Sequence, residues 1–134
     1  MVPPMTPQVP LVDYLVLGER PHLVAHECSD CGARYFDRRN ACANCGGITF
    51  GSADVATDGE ARSFTIVTFA APGVPVPFVS AIVDCDGTSV RANLINVEPS
   101  PDHVTLGMKV RLVTYSLGID DGGTEAIGFG FEPA

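Results

Sequence analysis

From Gly59 onward, apolar and polar residues alternate in runs of strand length, and turn residues separate the runs. Residues 60–69, E-A-R-S-F-T-I-V-T-F, are rich in β-branched and aromatic side chains, and the apolar loop A-A-P-G-V-P-V-P follows them. Residues 78–86, F-V-S-A-I-V-D-C-D, meet 88–97, T-S-V-R-A-N-L-I-N-V, across Asp86-Gly87, a strong hairpin signal. After the loop E-P-S-P-D-H, the run K-V-R-L-V-T-Y-S-L alternates Val110 and Leu112 against Lys109 and Arg111. A turn at D-D-G-G then leads to E-A-I-G-F-G-F. Five antiparallel strands of this length predict a small closed barrel, an OB-fold first and an SH3-like barrel second.

Ahead of Gly59 the pattern differs. Residues 10–17, P-L-V-D-Y-L-V-L, predict a short helix with Leu11, Tyr14 and Leu15 on one side, ended by Gly18. Residues 22–27, H-L-V-A-H-E, predict a strand, residues 33–41 an outer hairpin, and G-I-T-F a closing strand. The expected organisation is mainly β. A Pro-rich, flexible tail and the helix fill 1–21, a rubredoxin-like ribbon fills 22–52 and the barrel fills 53–134.

The chain has 134 residues, 46% hydrophobic and 18% charged, enough for one domain or two very small modules, and too apolar for disorder. Eight Lys and Arg against 16 Asp and Glu give a net charge of −8, which argues against a general nucleic-acid binder. No apolar run reaches the roughly 20 residues of a membrane helix, and Met1-Val-Pro-Pro-Met-Thr-Pro does not resemble a signal peptide. A soluble, cytoplasmic protein is the expectation.

The cysteines change the picture most. Cys28-Ser-Asp-Cys31-Gly and Cys42-Ala-Asn-Cys45-Gly are paired C-x-x-C knuckles, each with a glycine that permits a left-handed turn. Four thiolates close a tetrahedral shell and leave no position for substrate, so Cys28, Cys31, Cys42 and Cys45 predict a structural Zn²⁺ site, with iron as the alternative. Cys85 reads as a strand thiol. His22 and His26 read as packing residues and His103 as exposed; no Ser-His-Asp set or carboxylate dyad stands out, so the chain is not expected to be catalytic alone. Arg34, Arg38 and Arg39 concentrate positive charge between the knuckles and are candidates for a phosphate or an acidic partner. Val74, Val76 and Phe78 in the stiff apolar loop join Leu11, Tyr14 and Leu15 as a candidate partner surface.

Taken in order, these motifs resemble the DUF35 family of zinc-ribbon and OB-fold proteins. The resemblance runs from about Val12 to Pro133. It rests on H-L-V-A-H-E-C-S-D-C-G at 22–32, Y-F-D-R-R-N-A-C at 35–42, G-E-A-R-S-F-T at 59–65, P-F-V-S-A-I-V-D at 77–84, L-G-M-K-V-R-L-V at 106–113 and F-G-F-E-P at 129–133. Asp37-Arg38 stands where the family has two prolines before arginine. The resemblance implies an accessory subunit of a thiolase-fold enzyme acting on acyl-CoA, such as a thiolase or a steroid side-chain aldolase. The catalytic residues would lie on the partner, and CoA would sit near the shared interface. A two-plus-two assembly is the simplest symmetric expectation. A nucleic-acid-binding module and a small redox protein with iron on the four cysteines are the alternatives.

Overall fold

The computed structural model describes residues 7–134; residues 1–6, most of the expected flexible tail, lie outside the described part. Ten strands follow one another: β1 (Gln8–Pro10), β2 (Leu15–Val16), β3 (His22–Cys28), β4 (Arg34–Tyr35), β5 (Phe50–Asp54), β6 (Asp58–Val67), β7 (Phe78–Cys85), β8 (Thr88–Leu94), β9 (Lys109–Ile119) and β10 (Glu125–Pro133).

The last five strands build the barrel. Strand β6 pairs with β7, β7 with β8, β8 with β10 in parallel, β10 with β9, and β9 returns to β6. The order 1-2-3-5-4-1 is that of an OB-fold, so the first of the two expected topologies holds. Closure occurs at Gly59-Glu60, where β6 pairs with β9 through Gly59↔Val110 and with β7 through Glu60↔Asp84. A Cβ on Gly59 would lie 2.6 Å from the Asp84 carbonyl oxygen and 2.6 Å from Val83 Cγ1, so only glycine lets the strands approach there. The Asp-Gly hairpin forms between β7 and β8, with Asp86 at φ 51° and Gly87 at φ 91°, and the Gly87 N–H donates to Asp84 Oδ1 at 2.8 Å.

Alternation decides what is buried. Val79, Ala81, Val83 and Cys85 point inward from β7, Val90 and Leu94 from β8, Val110 from β9 and Phe131 from β10. Leu15, Leu23, Ala25 and Val55 join the same cluster, so one continuous core runs from the base of the N-terminal sheet into the barrel. Tyr14 extends it, 4.7 Å from the Phe36 ring and 6.0 Å from Phe129 between centroids.

The expected helix over 10–17 is corrected. Among the described residues there is no helix, and the segment makes β1, a turn at Asp13-Tyr14 and β2. Eight residues cannot repay helix nucleation in water, and Pro10, Val12 and Val16 disfavour the conformation. Two sheet edges offer stronger pairing: β1 runs parallel to β10, and β2 pairs antiparallel with β3.

Arg34 ties the small sheet to the barrel. Its Nε donates to Glu27 Oε2 at 2.8 Å, and its Nη1 donates to Thr88 Oγ1 at 3.2 Å across the junction. Thr88 is the buried polar residue of β8, 6% exposed. Arg34→Ala is expected to destabilise the protein by about 1 kcal/mol, the net worth of such a bond, read as a lower urea midpoint at unchanged m-value.

Candidate metal centre

The two knuckles share one backbone design. In the first, the Gly32 N–H donates to the Cys28 carbonyl at 2.9 Å and the Cys28 N–H to the Ala33 carbonyl at 2.8 Å. In the second, the Gly46 N–H donates to the Cys42 carbonyl at 2.8 Å and the Cys42 N–H to the Gly47 carbonyl at 2.7 Å. Gly32 and Gly46 lie at φ 80° and 76°, the left-handed conformation anticipated from the sequence. Strand β3 delivers Cys28, and the hairpin through β4 returns the chain to Cys42. Gly47 packs closely for a different reason: a Cβ there would stand 3.3 Å from the sulfurs of Cys28 and Cys45, and it would push aside the Asp30 carboxylate, whose Oδ2 would be 2.6 Å away.

The four sulfurs converge. All lie within 4.8 Å of one another, with Cys28 Sγ 3.6 Å from Cys45 Sγ and Cys31 Sγ 3.5 Å from Cys42 Sγ. Four thiolates about 2.3 Å from a tetrahedral ion stand about 3.8 Å apart, so the residues fit Zn²⁺. The Asn44 N–H points at Cys42 Sγ at 3.4 Å, and the Tyr35 hydroxyl lies 3.4 Å from the same sulfur. Tyr35 is held by the Phe50 ring at 6.3 Å and by the Arg39 guanidinium 4.3 Å over its face.

Crowding splits the acidities of the thiols. Cys42 is held down to about 6, first by the Tyr35 hydroxyl and, against the opposing pull of burial, by the backbone N–H groups of Cys45 and Asn44. Cys45 is pushed up to about 12: the Gly47 N–H favours its thiolate, but Cys31, Cys28 and burial together outweigh it. A divalent cation supplies the charge that lets all four ionise. Cys85 stands apart, fully buried in the barrel, with its thiol raised to about 11 by burial and by Asp84 and Asp58.

The other sequence candidates scatter. Arg34 is engaged by Glu27 and Thr88, and Arg39 by Tyr35 and by Asp37 at 3.6 Å. Arg38 has no acidic partner among the described residues and lines an open cleft of about 620 Å³ with Asp13, Tyr14, Arg34, Phe36 and Asp37. Of the candidate partner surface, Leu11, Val74 and Val76 are exposed, while Tyr14 and Phe78 are half-buried. Leu15 is corrected: at 3% exposure it belongs to the core, because its pairing with Leu23 turns it inward. His22 Nδ1 donates to the Arg20 carbonyl at 2.9 Å, and His103 Nδ1 lies 2.8 Å from Ser100 Oγ. Exposed apolar residues missed from sequence include Phe69 in the β6–β7 loop and Tyr115 and Leu117 on β9.

Comparison with known proteins places this geometry. Residues 17–49 match a family model described as the rubredoxin-like zinc ribbon domain of ChsH2, and residues 53–115 match one described as the C-terminal OB-fold domain of ChsH2. A DUF35 domain-containing scaffold protein of Methanocaldococcus jannaschii is 28% identical over 122 residues, 87% of this chain and 85% of its own. A solved structure of an Ltp2-ChsH2(DUF35) aldolase aligns at TM-score 0.63 and 25% identity, covering 84% of each chain. A DUF35-family protein of unknown function from Sulfolobus solfataricus aligns at TM-score 0.47 and 17% identity, covering 78% of this chain and 74% of its own.

Proposed function

The chain belongs to the DUF35/ChsH2 family of zinc-ribbon and OB-fold proteins, and from that membership we propose that it is a non-catalytic accessory subunit of a thiolase-fold enzyme acting on an acyl-CoA. The supporting observation is the alignment of 84% of the chain with an aldolase-associated ChsH2 protein at TM-score 0.63. The closed shell of four cysteines agrees with it, since a fully coordinated zinc supports a fold and does not activate water or substrate. The reaction is thiolytic or retro-aldol cleavage of a CoA ester, with a steroid side chain as one candidate acyl group. Two copies of this chain flank a dimer of the partner.

Within this reading Arg38 is the residue that meets a CoA phosphate. It lacks an acidic partner among the described residues, and it shares its cleft with the rings of Tyr14 and Phe36. Arg34 and Arg39 hold the walls through Thr88 and Tyr35.

Co-expression of this chain with a thiolase-fold chain, followed by size-exclusion chromatography, tests the proposal. Co-elution as a complex with one zinc per copy of this chain is the expected result. Elution as a separate monomer with every such chain tried contradicts it. In the complex, Arg38→Ala is expected to raise KM for the CoA ester several-fold with kcat little changed, the signature of lost uniform binding. An unchanged KM would remove Arg38 from the CoA site.

A further inference from the structure

Strand β4 sets one side chain against the metal centre from outside the two knuckles. Register places it there: Tyr35 stands opposite His26 on one side of β3, and Phe50 stands opposite Cys28 on the other. The two rings meet edge-on, with centroids 6.3 Å apart. The Tyr35 hydroxyl reaches Cys42 Sγ at 3.4 Å. The Arg39 guanidinium lies 4.3 Å over the Tyr35 ring, and its Nε is 3.6 Å from Asp37 Oδ1. A line of contacts thus runs from an exposed ion pair, through a half-buried phenol, to a buried cysteine.

Charge gives this line its sense. Four thiolates around a divalent ion leave two negative charges in excess, on a chain whose formal charge is already −8. A ligating thiolate carries no proton, so in the loaded ribbon the Tyr35 O–H donates and Cys42 Sγ accepts. The Asn44 N–H serves the same sulfur at 3.4 Å, but that donor belongs to the backbone of the knuckle and does not depend on the side chain at 44. The Tyr35 hydroxyl, by contrast, is a property of one side chain. Phenylalanine would keep the ring contacts with Phe50 and Arg39, so packing alone does not call for the O–H. The cation over the ring draws electron density from the phenol and makes its O–H a stronger donor.

We propose that Tyr35 is a positioning residue of the metal centre: its hydroxyl, strengthened by Arg39, donates to the Cys42 thiolate, draws off part of its charge and fixes that sulfur for the ion. Partners of this kind to a ligand atom are worth about 10- to 100-fold in metal affinity. The role gives Arg39 a task inside the ribbon. It holds whatever enzyme the chain serves, so it stands or falls apart from the accessory-subunit reading.

The test purifies the full chain in three forms, wild type, Tyr35→Phe and Arg39→Gln, and loads each with Zn²⁺ or Co²⁺. Zinc affinity is read by competition with a chromogenic chelator, and the sulfur-to-cobalt charge-transfer band by absorbance. Tyr35→Phe is expected to bind zinc about tenfold more weakly. It is also expected to move the band to longer wavelength, because a thiolate stripped of a donor releases its electrons at lower energy. Arg39→Gln keeps the hydroxyl and should move both readings in the same direction by less. A Tyr35→Phe band at the wild-type wavelength overturns the proposal even if zinc affinity falls, since a residue that only packs would lower affinity and leave the band in place. If Tyr35→Phe takes up no cobalt, the Arg39→Gln band decides: a shift to longer wavelength supports the proposal, and the wild-type wavelength overturns it.

Discussion

Replacing Cys42 with serine is expected to remove zinc and disorder the knuckles while leaving the barrel folded. Cys42 is buried, its sulfur sits 3.5 Å from Cys31 Sγ, and it receives the Asn44 N–H and faces the Tyr35 hydroxyl. Serine preserves the volume but not the thiolate, so the ion loses one of four ligands. Zinc binding in such sites is worth on the order of 10 kcal/mol or more, and little else holds the loops between β3 and β5. Gly32, Asn40 and Ala41 are exposed, and the backbone bonds within each knuckle are too few to stand alone. The base of the ribbon is different, because Leu15, Leu23 and Ala25 sit in the core shared with the barrel. Zinc content by mass spectrometry should fall from one equivalent to none. Hydrogen exchange should quicken across residues 28–47 and stay slow in β7 and β8. Chelation of the wild-type protein should reproduce the pattern. Retained zinc, or unchanged exchange across the knuckles, would refute the four-thiolate site.

Phe131→Ala should have the largest effect in the barrel. Phe131 has no exposed surface. It faces Leu94 across the parallel β8–β10 contact and Leu112 across the antiparallel β10–β9 contact, and the Phe129 ring stands 6.5 Å away edge-on. The truncation therefore opens a cavity at the point where the Greek-key connection is held. Such changes cost about 3–5 kcal/mol, against a total stability of about 5–15 kcal/mol for a domain of this size. A fall in Tm of about 10–20 °C is expected, with the urea midpoint lowered in proportion. Phe69→Ala, at 91% exposure, should change stability by no more than about 0.5 kcal/mol. Equal effects at the two positions would contradict the placement of the core.

What could be read from sequence was local. The paired C-x-x-C-G knuckles specify their own geometry, because the first cysteine and the glycine of each make backbone bonds within five residues. Asp86-Gly87 fixes its hairpin for the same reason. The inward sets of β7 and β8 follow from period-two alternation. Residues 10–17 failed because long-range pairing determines their conformation: β10 lies more than 100 residues along the chain from its partner β1. Leu15 reads as surface on a helix and becomes core on a strand, since its pairing with Leu23 turns it inward. Tyr115 and Leu117 fall in phase with Lys109 and Arg111, on the face of β9 opposite Val110 and Leu112. That outward face, past the last β6 partner at Arg111, leaves them exposed, and their apolar side chains gave no sign of it.

The most direct test of the accessory role is a titration. The zinc-loaded chain is added in increasing amounts to the thiolase-fold chain that co-elutes with it, and cleavage of a CoA ester is followed. Cleavage should rise with added chain and level off at one copy per catalytic subunit, while this chain alone shows none. A rate independent of the added chain, or turnover by this chain without the partner, would contradict the account.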